Sequence, residues 1–163
     1  MTVQIRKSVF ETNSSSTHSI CIAKQKPERI PEVIHFGIRN FGWEWRTLYG
    51  QEKANYLYTM ILGQPNHRES MQKLVKLLDK IGVQYQFEEP VFEKIGKFEF
   101  LDNGSIDHAS EGADFVNAVL HSQSRLERYL FSDGSFIKTG NDNDDGTVEI
   151  DVNYPHEEYY KWN

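Results

Sequence analysis

Apolar and polar positions alternate from the start of the chain: Val3 and Ile5, then Val9 and Phe10, flank Arg6-Lys7-Ser8. The pattern predicts a first strand that pauses and resumes. The polar stretch Asn13 to His18 follows and ends where Ser19-Ile20-Cys21-Ile22-Ala23 alternates as a second strand. It is therefore expected to join two strands, or a strand and a short turn, with His18 at the mouth of the second strand. Lys24 to Pro31 carries two prolines and several charges and reads as a surface connection. Val33 to Phe36 is a brief apolar run ended by Gly37. In Phe41-Gly42-Trp43-Glu44-Trp45 the two indoles share a face if the segment is a strand.

From Gln51 the period becomes helical. Ala54, Leu57, Tyr58 and Ile61 predict one amphipathic helix stopped by Gly63 and Pro65. Asn66 can cap a second, with Glu69 placed as in a capping box and Met71, Leu74, Val75, Leu78 and Ile81 as its buried stripe before Gly82. Val83, Tyr85 and Phe87 alternate with polar residues as a strand with one wet face. The pattern then loosens until Phe98 to Leu101, a further strand that ends at the turn Asp102-Asn103-Gly104. Phe115, Val116, Val119 and Leu120 mark a third helix, and Leu126, Tyr129 and Leu130 a short fourth one starting near Ser124. Ser135 to Lys138 and Thr147 to Val152 read as two closing strands. Strands mixed with paired helices make an α+β fold, mainly antiparallel sheet with about four helices.

At 163 residues the chain is long enough for one cored domain, taken to span 1–163. A formal charge of -6 argues against non-specific coating of nucleic acid, which rests on Lys and Arg displacing counterions. The single cysteine, Cys21, excludes an intramolecular disulfide and fits a reducing compartment; its place between Ile20 and Ile22 suits a small structural thiol. No apolar run approaches a membrane span, and Gln4, Arg6, Lys7 and Ser8 interrupt any leader-like core. A cytoplasmic protein without a membrane partner is expected.

Three polar segments can carry chemistry. In the first, Asn13, Ser14, Ser15, Ser16 and Ser19 offer hydroxyl, amide and backbone N–H donors that can surround a phosphate, with Arg6 reaching the same anion. His18 among them can act as a general base, since imidazole titrates near neutral pH. In the second, Asp107 and His108 stand between Ser105 and Ser110 and can pair with His18 or hold a metal. The third runs through Gly140, Asn141 and Asp142 into an acidic turn ending at Gly146, where Asp142 can orient a histidine; the spacing is not that of a calcium hand. Each also has a plain structural reading: a serine turn bonding its own backbone, a histidine donating to a carbonyl, a solvated turn between strands. Trp43 and Trp45 suit stacking or the core, and His67 and His121 suit helix ends or solvent. The acidic aromatic tail at Glu157, Glu158, Tyr159 and Tyr160 suits docking on the body or on a partner.

The run Arg6 to Ser19, with its Phe10-Glu11-Thr12-Asn13-Ser14-Ser15-Ser16 core and His18-Ser19 end, resembles the N-terminal signature of a family of uncharacterised proteins from Gram-positive bacteria and their phages. Ile106-Asp107-His108 with Ser110, and Thr139-Gly140-Asn141-Asp142, resemble two shorter strings of the same family. The resemblance supplies no activity; it implies that the three polar segments recur together and meet at one site.

Two classes of function follow. In the first, a composite site binds a phosphate-containing or nucleotide ligand and hydrolyses or transfers a phosphoryl group. His18 or His108 then moves the proton, and Asp107 or Asp142 orients it or binds a divalent cation, the one cofactor the residues suggest. In the second, the chain is an acidic, non-enzymatic accessory protein that binds and inhibits a host protein by masking a basic surface, as in counter-defence or host takeover.

Overall fold

Helix α1, Gln51–Leu62, is the element the others pack around: every residue from Lys53 to Leu62 is buried. Its environment corrects the amphipathic expectation, because helices and strands cover it on all sides and leave no wet face. The computed structural model describes residues 2–6, 16–42, 46–106, 112–141, 147–151 and 156–162. Before α1 come β1 (Thr2–Arg6), β2 (Ser16–Ala23), β3 (Val33–Phe36), β4 (Asn40–Phe41) and β5 (Arg46–Leu48). After it come α2 (His67–Ile81), β6 (Gln84–Phe87), β7 (Phe92–Ile95), β8 (Phe98–Leu101) and β9 (Ser105–Ile106). The chain continues through α3 (Gly112–Val119), α4 (Gln123–Phe131), β10 (Phe136–Asn141), β11 (Thr147–Asp151) and β12 (His156–Trp162).

The fold is α+β, with small and mostly antiparallel sheets. The largest has the order β12-β2-β10-β5 and is antiparallel throughout; β1 pairs with β11, and β7 with β8. Two short parallel pairs, β3 with β6 and β4 with β9, arise because helices carry the chain between their strands. One apolar core joins Ile20, Ile22 and Ile137 of the large sheet to Leu57 and Ile61 of α1 and to Leu74, Phe115, Val119 and Leu126 of the other helices.

Strand β2 begins earlier than its alternation of apolar residues suggests. Ser16, Thr17 and His18 are strand and not loop, because all three pair with β10, and His18 pairs with Trp162 of β12 as well. The tail read as a docking segment is β12 itself. Helix α2 has the expected ends but not the expected box: the Asn66 side chain makes no capping bond, since the chain enters through a turn in which the His67 amide donates to Gln64 O at 3.2 Å. At its other end Gly82 takes φ 87°, a left-handed closure whose amide donates to Leu78 O at 3.0 Å. Helix α4 is capped by Ser122, whose Oγ accepts from the Arg125 amide.

A buried polar knot ties the end of β2 to α4. Ser135 Oγ accepts from the Ala23 amide at 2.8 Å and donates to Arg128 O at 2.7 Å, while Arg128 Nη1 donates to Ala23 O. Among the described residues no helix is long and apolar enough to cross a membrane.

Candidate functional site

Side chains in a strand alternate between faces, so His18 lies on the same side of β2 as Ile20 and Ile22, the side that meets the core. Its imidazole is fully buried, and Nδ1 lies 2.8 Å from the hydroxyl of Tyr56 on α1. The direct partner of His18 on β10 is Thr139, also buried; opposed residues share a face, so a histidine, a threonine hydroxyl and a tyrosine hydroxyl are grouped under the sheet. Burial explains why each needs partners: a polar group removed from water without a hydrogen bond costs several kcal/mol, on the order of 2–7.

The pairing of the strands brings the described flanks of the first and third polar segments side by side. Arg6, the last residue of β1, pairs with Thr147, the first of β11. Ser16, the first residue of β2, pairs with Asn141, the last of β10. The residues flanking 7–15 and those flanking 142–146 are therefore paired with each other at both ends.

The described flanks of the second segment approach the same region through Tyr56. Before it stands Ile106 of β9, whose strand partner is Phe41, and the Phe41 ring packs edge-on against Tyr56 with centroids 5.2 Å apart. After it comes α3, where Phe115 packs edge-on against the same tyrosine at 5.3 Å. Two close approaches fix these flanks. A Cβ on Gly104 would stand 2.3 Å from Ile38 Cγ2 and 3.1 Å from Arg39 O, so only glycine lets β9 lie beside β4. A Cβ on Gly112 would meet the Met60 and Gln64 side chains.

Of the expected site residues, His18 and Ser19 are described in full, and Arg6, Ser16 and Asn141 through their backbone pairing. Ser19 is buried but on the opposite face from His18, opposite Lys138, so it stands apart from the His18–Tyr56 pair. His18 is a core residue of a central strand and not a residue at its mouth. Asn13, Ser14, Ser15, Asp107, His108 and Asp142 lie outside the described residues, as do Trp43 and Trp45. Among the described residues no three His, Cys, Asp or Glu side chains converge on a metal-sized site. His67 opens α2 but is neither a free cap nor solvent-facing: its Nε2 lies 3.3 Å from Glu99 Oε1 and its ring stacks on Phe92.

Tyr56 went unnoticed in the sequence, where it sits inside a helix beside Leu57 and two positions from a second tyrosine, Tyr58. Its one distinguishing trait is that a buried tyrosine needs a partner for its hydroxyl.

One helical turn before Tyr56, the Lys53 side chain is buried and donates to Ser132 O at 3.1 Å. Burial lowers its pKa to about 8, against a smaller upward pull from Asp133. A cleft of about 510 Å³ lies beside it, lined by Arg29, Tyr49, Gln51, Leu130 and Asp133. Burial also holds the Tyr129 phenol well above its ordinary value, with Tyr56 adding to the effect; its hydroxyl donates to Lys53 O at 2.7 Å. The thiol of Cys21 is buried in the sheet and pushed up to about 11, which leaves it a poor nucleophile at neutral pH.

Comparison of the chain with protein-family models, with curated proteins and with solved structures found no match.

Proposed function

We propose that the chain binds a phosphate-bearing small molecule, with nucleotides the leading class, where its three polar segments meet, and that it hydrolyses or transfers a phosphoryl group there. The observation that carries this reading is the pair of rungs Arg6–Thr147 and Ser16–Asn141, which bound the first and third segments together. The contacts of Tyr56 with His18, Phe41 and Phe115 tie the flanks of the second segment to the same region.

In this reading Asn13, Ser14, Ser15, Ser16 and Asn141 supply neutral donors to phosphate oxygens, and Arg6 supplies the positive charge. The burial of His18 favours a positioning role, in which its bond to Tyr56 fixes the start of β2 beneath the ligand. Proton transfer to or from the attacking oxygen then falls to His108, oriented by Asp107 or Asp142. Those two carboxylates are also the residues that would hold a divalent cation, whose charge would offset that of the phosphates.

A nucleotide panel, with and without magnesium or manganese, tests the reading by thermal shift and product analysis. The expected result is a shift of several degrees with at least one compound, on the order of that produced by ligand at 100 times its Kd, together with product that Asp107→Asn and His108→Ala abolish. Absence of both shift and product across the panel, with folded protein, overturns it.

A further inference from the structure

The hairpin of β7 and β8 turns an apolar face outward. Val91, Ile95, Phe98 and Phe100 are 50, 59, 68 and 51% exposed, and they are four of the six large hydrophobic residues exposed among the described residues. Register explains why they gather. Ile95 pairs with Phe98 and Glu93 with Phe100, and directly opposed residues share a face; Phe98 and Phe100 are also in ring contact, with centroids 6.3 Å apart. The opposite face is spent on the body of the protein. Phe92 and Leu101 pack on the core, and Phe92 and Glu99 both engage His67. Among the described residues the hairpin is thus packed from one side, and its other side is exposed.

We infer that this face docks a short segment of another protein in which apolar side chains alternate with lysine or arginine. Two observations select this occupant over a second copy of the chain. The first is area: four side chains exposed to this degree present roughly 400 Å² of apolar surface, about half of what each side of a stable interface buries. The second is charge. Glu93 shares the face, and Asp102, whose amide donates to Val91 O, lies exposed at its end. Two copies face to face would bring these carboxylates together in a shrinking dielectric, whereas a basic segment would pair with them. The chain's charge of -6 acts in the same direction at long range. This surface shares no residue with the proposed phosphate site, and the inference stands whether or not that site binds phosphate.

The test uses the full chain and two labelled model peptides, one alternating leucine with lysine and one alternating leucine with glutamate, read by fluorescence anisotropy. Sedimentation velocity run alongside reports self-association. The lysine peptide is expected to bind, at least tenfold more weakly to Phe98→Ser and Phe100→Ser, and severalfold more weakly to Glu93→Lys and at high salt. These variants change exposed side chains, and circular dichroism establishes that each is folded. Equal binding of both peptides, binding unaffected by the Phe98 and Phe100 changes, or a dimer that Phe98→Ser dissociates would each overturn the inference.

Discussion

The hydroxyl of Tyr56 lies 2.8 Å from Nδ1 of His18, joining the most buried helix to a central strand through two polar groups that water does not reach. Tyr56→Phe removes this bond and keeps the ring contacts with Phe41 and Phe115. The expected loss in urea unfolding is about 1–3 kcal/mol, the cost of depriving a buried polar group of a partner. A loss under about 0.5 kcal/mol, the range of an ordinary surface change, would show that the pair does not hold β2 on α1.

Gly104 and Gly112 flank the Asp107–His108 segment but differ in what surrounds them. The Gly104→Ala Cβ would strike the branched side chain of Ile38 and the backbone of Arg39, and it should destabilise by about 1–3 kcal/mol through overpacking. At Gly112 the nearest atoms are the flexible ends of Met60 and Gln64. Gly112→Ala should therefore cost less, and thermal melts of the two variants side by side decide it; equal losses would contradict the comparison.

Ser135 offers a sharper case of polar burial. Ser135→Ala leaves the Ala23 amide without its acceptor inside the protein, and a loss of about 1–3 kcal/mol is expected. Hydrogen exchange at the Ala23 amide should accelerate in the variant. An unchanged exchange rate would mean that the amide finds another acceptor.

Lys53 makes stability depend on pH in a direction opposite to the other buried groups. Its pKa falls from 10.5 to about 8 on folding, so between those values the unfolded chain holds a proton that the folded one has released. Stability from this residue therefore rises with pH from about 8 to 10.5, and below pH 8 the full penalty, about 3 kcal/mol, is present. Cys21 and Tyr58, raised to about 11 and about 12, act in the reverse sense: the folded chain keeps a proton longer, and stability falls as pH rises past their ordinary values of 9.0 and 10.0. Comparing wild type with Lys53→Met cancels those terms. The stability advantage of the variant should be largest near pH 7 and should shrink towards pH 10.5; a constant difference would contradict the assignment.

The helices could be read from the chain because their pattern and stop residues agree: α2 ends where Gly82 closes it, and α1 ends at Gly63. The strands were readable only where one face is apolar. Ser16 to His18 looked like the end of a loop because they are polar, yet they open a central strand, paired with β10 throughout and with β12 from His18 onward. Strand β7 was hidden because Ile95 faces outward and Lys94 interrupts the pattern, and β12 because its charges suggested a tail. Of the candidate site, the sequence marked His18, Ser16 and Asn141 but could not show that Ser16 and Asn141 are strand partners, since register depends on residues more than 120 positions apart. Nor could it single out Tyr56, whose role comes from what lies opposite it.

The most direct test of the proposed site is a titration of the isotope-labelled protein with a magnesium nucleotide, following the ring nitrogens of His18 and His108 and the amides of Ser16 and Asn141 by NMR. The proposal expects all four to move along one saturable curve, with His108 changing its protonation state and His18 keeping its bond to Tyr56. Resonances that stay still at every position while the protein remains folded, or that move only at sites remote from these strands, would contradict it.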